Sequence, residues 1–177
     1  MKKLLLLILF IGCAFGVNAQ NTIKFLGIPV DGSKREVIAE LEQKGFRYDP
    51  YGDHLEGEFN GARVMILVQT INNIVWRIVV MDALPTYEAN IKVRFNNLFD
   101  QFCNNGKYTC TYGQKLSDRD NISYEMLFND KRYEAHFGLV DKSINGRVWY
   151  QIGEIYGDYC IAIYYENWNN AARGDDL

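Results

Sequence analysis

The chain has 177 residues, with 19 Lys and Arg against 22 Asp and Glu and a formal net charge of −3. That length suits one domain, and the acidic balance without any basic run excludes a nucleic-acid partner, because phosphate binding needs clustered cations. No stretch reaches the roughly 20 apolar residues a membrane-spanning helix requires.

Met1-Lys2-Lys3, the apolar run Leu4–Ile11 and the small-residue stretch ending Val17-Asn18-Ala19 read as a secretory signal peptide over residues 1–19. The competing reading is a lipoprotein signal with Cys13 as the lipidated residue. Phe10-Ile11-Gly12-Cys13 supplies the Gly before Cys but lacks the Leu three positions earlier. Cleavage after Ala19 leaves 177 − 19 = 158 residues and, without Lys2 and Lys3, 19 − 2 = 17 basic against 22 acidic groups. The expected location is periplasmic or secreted, where disulfides persist.

Residues 20–167 read as one α+β domain and 168–177 as a polar tail. Asn21–Val30 alternates loosely and forms an opening strand or an extended lead-in, turning at Asp31-Gly32. Ser33 and Glu36 make a capping box for a short helix over 33–44, stopped by Gly45 with Phe46 as its hydrophobic contact. Three strands follow, His54–Asn60, Ala62–Thr70 and Ile74–Met81, joined by Asn60-Gly61 and Asn72-Asn73. The connections are short, so the strands form an antiparallel meander. The longest helix is expected over Thr86–Gly106. Tyr87, Ile91, Phe95, Leu98, Phe99 and Phe102 form its apolar stripe, Thr86 its N-cap and Asn104-Asn105-Gly106 its stop. Lys107–Tyr112 reads as a short strand or link and Leu116–Asn121 as a loop. Four strands close the pattern: Ile122–Phe128, Lys131–Leu139, Arg147–Glu154 and Tyr159–Glu166. The predicted fold is two helices on one face of a seven- to eight-stranded antiparallel sheet.

The order helix then meander occurs twice, which predicts pseudo-repeats over about 23–82 and 86–167. Gly45 precedes Tyr51-Gly52 by six and seven residues, as Gly106 precedes Tyr112-Gly113, an offset of 106 − 45 = 61. Phe59-Asn60-Gly61-Ala62-Arg63 against Phe128-Asn129-Asp130-Lys131-Arg132 implies 128 − 59 = 69.

Phe25-Leu26-Gly27-Ile28-Pro29-Val30-Asp31-Gly32, Lys44-Gly45-Phe46, and the stretches Ile122–Glu125 and Lys131–Ala135 resemble a family of small exported bacterial proteins of unknown function, a resemblance that implies no activity. The tandem helix-plus-meander order resembles, more distantly, the beta-lactamase-inhibitor-protein architecture, whose sheet is a binding surface. No motif residue carries over, so this is a likeness of fold.

His54, Glu56 and Glu58 share one face of a strand, as do Arg132, Glu134 and His136. The first row reads as the wet face of an edge strand, with a metal or acid–base site as the weaker alternative and no metal site assigned. Cys103 and Cys110, seven residues apart across a chain reversal, are a disulfide candidate, and Cys160 is expected to be a small buried residue. Nothing resembles a nucleophile elbow, a phosphate loop or HExxH, so no catalytic residue and no cofactor is assigned. The second half is rich in Tyr and Trp. Trp149 shares parity with Arg147 and Gln151 rather than with Val148 and Tyr150, and is the aromatic expected to be exposed. With Arg147, Tyr164 and Trp168 it defines the candidate binding face. Arg77, inside an apolar strand, is expected to pair with a carboxylate or reach water. The function expected is an exported, non-catalytic interaction module that uses the uncovered sheet face to bind an unidentified protein or carbohydrate. The alternatives are a glycan-binding accessory protein and a small hydrolase with an acidic or His-containing cleft.

Overall fold

The computed structural model describes residues 21–171, so the expected signal peptide, the Cys13 alternative and the last six residues of the tail lie outside the described residues. The chain opens on a hairpin of β1 (Lys24–Phe25) and β2 (Ile28–Pro29), where Leu26 and Gly27 both adopt positive φ. Helix α1 (Lys34–Gln43) starts at the expected capping box: Ser33 accepts from the Glu36 amide, and the Glu36 side chain answers the Ser33 amide. It ends before Gly45, whose φ of 97° suits a residue without Cβ. Val37 and Leu41 are its buried face.

The first meander is β3 (Arg47–Asp49), β4 (His54–Phe59), β5 (Ala62–Ile71) and β6 (Ile74–Asp82). Its two tight turns hold Asn60-Gly61 and Asn72-Asn73 at positive φ, the backbone that the right-handed strand twist selects. Helix α2 (Glu88–Cys103) buries Ile91, Phe95, Leu98 and Phe102, each worth about 1.5–3 kcal/mol on burial. Its N-cap is Tyr87 rather than Thr86, without a side-chain bond. The Thr86 backbone is instead committed to a two-way bridge with Tyr159, at 2.8 Å in each direction, which draws it out of the capping position. After β7 (Tyr108–Tyr112) comes α3 (Ile122–Asn129), followed by β8 (Glu134–Leu139), β9 (Gly146–Ile155) and β10 (Asp158–Asn167).

Helix α3 replaces the strand expected over 122–128, and β8 consequently starts at Glu134 rather than Lys131. The composition ISYEMLF suits a strand, but two acceptors settle its start as a helix. Asn121 Oδ1 takes the Tyr124 amide, and the Glu88 carboxylate of α2 takes the amides of Ile122 and Ser123 at 3.0 and 3.1 Å. Among the described residues there are therefore three helices instead of two.

All strands of the main sheet are antiparallel, in the order β3-β4-β5-β6-β10-β9-β8-β7. Each half follows the same course, a helix and then four strands in succession, with α3 inserted between β7 and β8. The halves meet at β6 and β10, so the first strand of each becomes an outer edge. Gly45 is the second residue after α1, at positive φ, and Gly106 the third after α2, without it, whereas Phe59–Arg63 forms a hairpin turn and Phe128–Arg132 a helix end. The 61-residue offset carries β3 onto β7 but β4 into the loop at 115–120, and the 69-residue offset carries β4 onto α3.

The fold is α+β with one-sided cover. Val37 and Leu41 of α1, Ile91, Phe95 and Phe102 of α2 and Ile122 of α3 enter one core cluster with Val64, Ile66, Val148, Tyr150, Ile161 and Ile163 of the strands. The Tyr150 hydroxyl donates to the Phe95 carbonyl at 2.9 Å, and burial pushes its pKa up. Cys103 and Cys110 form a disulfide joining the end of α2 to β7, and Cys160 is buried and unbridged. The tail is docked where it is described: the Trp168 amide donates to the Asn145 carbonyl, and the Asn170 amide group reaches Asp31 and the Val75 carbonyl.

Candidate functional site

The register of the strands lays side chains in rows across the face opposite the helices. One row runs Tyr112, His136, Trp149, Tyr164, Val79 and Leu67 from β7 to β5. Beside it runs Arg147, Glu166, Arg77 and Gln69. On its other side run Glu134, Gln151, Ala162, Met81, Met65, Glu56 and Arg47. The four candidate residues, Arg147, Trp149, Tyr164 and Trp168, converge here. So do Arg77, Glu166 and His136.

Glu166 is the centre of this group. Its side chain is 2% exposed. Arg77 Nη2 approaches Oε1 at 2.6 Å, while Arg147 Nε donates to Oε2 at 2.9 Å and Trp168 Nε1 to the same oxygen at 3.2 Å. The buried Trp149 Nε1 faces the same carboxylate but falls short of full hydrogen-bond geometry. Burial opposes ionisation of Glu166. The indole and guanidinium donors and the Arg77 charge outweigh it and hold the carboxyl below its ordinary value. Two guanidiniums around one carboxylate leave a surplus positive charge in an aromatic setting.

The rings form a stack standing on the sheet. Trp149 lies against Tyr164 with centroids 4.0 Å apart and planes 9° from parallel, and His136 stacks on Trp149 at 5.5 Å. Tyr112 meets the His136 ring edge-on at 5.4 Å. On the far side, the register shift between Gln69 and Thr70 gives β6 one extra residue, Trp76, and the Arg77 guanidinium lies 3.9 Å from the Trp76 ring centroid. Trp149 is therefore half-buried rather than exposed. Its faces are taken by neighbours in adjacent strands, which one-strand parity cannot show. Trp168, 42% exposed, is the open aromatic of the four.

Parity shows which side Glu166 and Trp76 occupy only once the pairing partners and the bulge are known. Glu166 shares parity with Tyr164, and that was the available signal.

His54, Glu56 and Glu58 lie on the same face at its far edge. Glu56 is held by Arg47 at 2.7 Å, which lowers its carboxyl pKa, and His54 Nε2 stands 3.6 Å away. Among the described residues, no three His, Cys, Asp or Glu converge as metal ligands. His136 Nε2 stands 3.2 Å from Glu134 Oε1.

On the helix side, an open cleft of about 1650 Å³ separates α1 and the β1–β2 hairpin from the end of α2 and the β8–β9 loop. Phe25, Phe59, Phe102 and Tyr165 contribute to it, with Lys24, Glu40 and Lys107 among its polar groups. Neither His54 nor His136 lines it. No described helix is long and apolar enough to cross a membrane. Comparison with protein-family models, curated proteins and solved structures returns no match.

Proposed function

We propose that this chain is an exported, non-catalytic binding protein whose uncovered sheet face docks a protein partner. One observation carries the reading. That face carries an apolar and aromatic patch, with Met65, Leu67, Val79, Met81, Tyr164 and Trp149 in adjoining rows, bordered by the Arg147–Glu166–Arg77 row toward one end of the strands and by Glu134, Glu56 and Arg47 toward the outer strands. A sheet face left to water is normally polar, whereas an apolar centre inside a polar rim is the anatomy of an interface. The Arg77–Glu166–Arg147 group braces this surface before a partner arrives, lowering the ordering cost of binding.

The glycan alternative needs a platform of open rings, whereas Trp149 and Tyr164 spend faces on each other and Trp168 is the one open aromatic among the four candidates. The hydrolase alternative needs a cleft holding His54 or His136, and both sit on the sheet face instead. Site-specific photocrosslinking in envelope extract tests the proposal. A crosslinker at Leu67 is expected to capture a discrete protein that one at Glu40, on the helix side, does not. Capture from Glu40 alone would sink the reading.

A further inference from the structure

The two outer edges of the sheet occupy equivalent places in the two halves but are built differently. Edge strand β3 has three residues, of which Arg47 and Asp49 are charged. Short length and charge are the usual protection against a strand adding to an edge. Edge strand β7 reads Tyr-Thr-Cys-Thr-Tyr, with five residues, no charge and no Pro, and all but Tyr108 are exposed. The Cys103–Cys110 disulfide ties its middle to the end of α2, so this edge is held in place as well as open.

The hydrogen-bond phase identifies the free groups. The Val140 amide donates to the Lys107 carbonyl at 3.0 Å, so Lys107 and, two residues on, Thr109 face β8. Tyr108 and Cys110 then turn their amides and carbonyls outward. The Tyr108 amide is taken by the Asn105 carbonyl at 2.9 Å. The Tyr108 carbonyl and both backbone groups of Cys110 remain, and no described residue pairs with them. The chain after Gly113 does not cover them, because Leu116 is bonded to Asn96 on α2.

We infer that β7 is a strand-addition site for an extended polypeptide with an uncharged middle and acidic ends. The charges flanking the edge select that partner. Lys107 precedes β7 without an ion pair among the described residues, and Lys115 follows it, shared with Asp100 at 2.5 Å. Antiparallel pairing of two copies about the outward-facing Cys110 would set Lys107 against Gly113, and residues 107–115 contain no Asp or Glu, so a second copy offers these lysines no carboxylate while an acidic-ended segment does. Main-chain bonds would supply the affinity and the lysines the end preference. This inference does not depend on the sheet-face proposal.

The test uses the disulfide-bonded protein and synthetic peptides. Glu-Thr-Val-Thr-Val-Thr-Glu is expected to bind and to slow exchange of the Cys110 amide by about tenfold or more. Its backbone N-methylated form is expected not to bind. With Lys107→Glu, affinity for the acidic-ended peptide should fall about tenfold, and Lys-Thr-Val-Thr-Val-Thr-Lys should gain. Absence of binding, equal binding by the N-methylated peptide, or no response to Lys107→Glu would overturn the inference. So would perturbation confined to Trp149 and Tyr164, or Cys110 protection by self-association without peptide.

Discussion

A single buried carboxylate organises the candidate face. Glu166 satisfies Arg77, Arg147 and Trp168 together, and removing its charge would leave two guanidiniums facing each other across β10. Loss of one partner from a buried ionic group costs about 3–5 kcal/mol, and the half-exposed position of Arg147 places this case toward the low end. Glu166→Gln is therefore expected to lower unfolding free energy by about 3 kcal/mol at neutral pH, read from urea midpoints. The carboxyl is depressed in the folded state, so its contribution is present above the ordinary Glu value and is lost as pH falls below it. A variant as stable as the parent would show that the group is ornamental. Side-chain alternation was enough to place Arg147 and Trp149 on one side, because a strand allows two sides only. It could not show that Trp149 would be sandwiched, since that depends on which residue of β8 and of β10 lies opposite. Arg77 was legible as a misfit in an apolar run. Its partner was not, because Glu166 is 89 residues away.

Elements whose own sequence caps and patterns them were readable, and α3 was not, for the same physical reason. The α1 capping box and the α2 stripe lie within the helices they specify. Helix α3 owes its start to Glu88, which belongs to α2 and lies 34 residues earlier than Ile122. Only Ile122 of its residues is buried, so it has no apolar period to reveal it. Glu88 sits near the N-termini of both helices, and both dipoles favour its negative charge. Burial opposes ionisation there, yet the Ser123 hydroxyl, the Lys92 ammonium and the amides of Ser123 and Ile122 outweigh it and lower the carboxyl from 4.5 to about 2. Glu88→Ala should cost about 2 kcal/mol at neutral pH, with loss of helical signal from α3. A depressed carboxyl stabilises fully above its unfolded value and less as pH falls through the folded one. The stability gap between parent and variant should therefore be constant above pH 4.5 and close as pH approaches 2. A gap that persisted at low pH would show that the side chain acts through packing rather than charge.

At the scale of the molecule, the two halves share one core and clasp each other in both directions. β6 and β10 pair through five residue pairs at the centre of the sheet. Asp82, at the end of the first half, takes Arg94 of α2 in a fork at 2.6 and 2.7 Å and accepts the Ile161 amide at 3.2 Å. In return, Asn167 of the second half donates to the Val30 carbonyl, and Asn60 of the first donates to Gln101. Repetition of a helix-plus-meander unit would permit two independent units, but these reciprocal bonds and the single cluster of buried side chains argue for one cooperative structure. Arg94→Met keeps most of the side-chain volume and leaves Asp82, 7% exposed, without its cation, at a cost of about 3 kcal/mol. The described Trp residues all belong to strands or to the turn after β10, whereas far-UV circular dichroism at the helical band reads α1, α2 and α3. In a urea titration both signals should shift to the same lower midpoint and remain superimposed, because the ion pair joins helix to seam. Helical signal lost before Trp fluorescence changes would mean that α2 detaches from an intact sheet, and the claim of a single cooperative unit would fail.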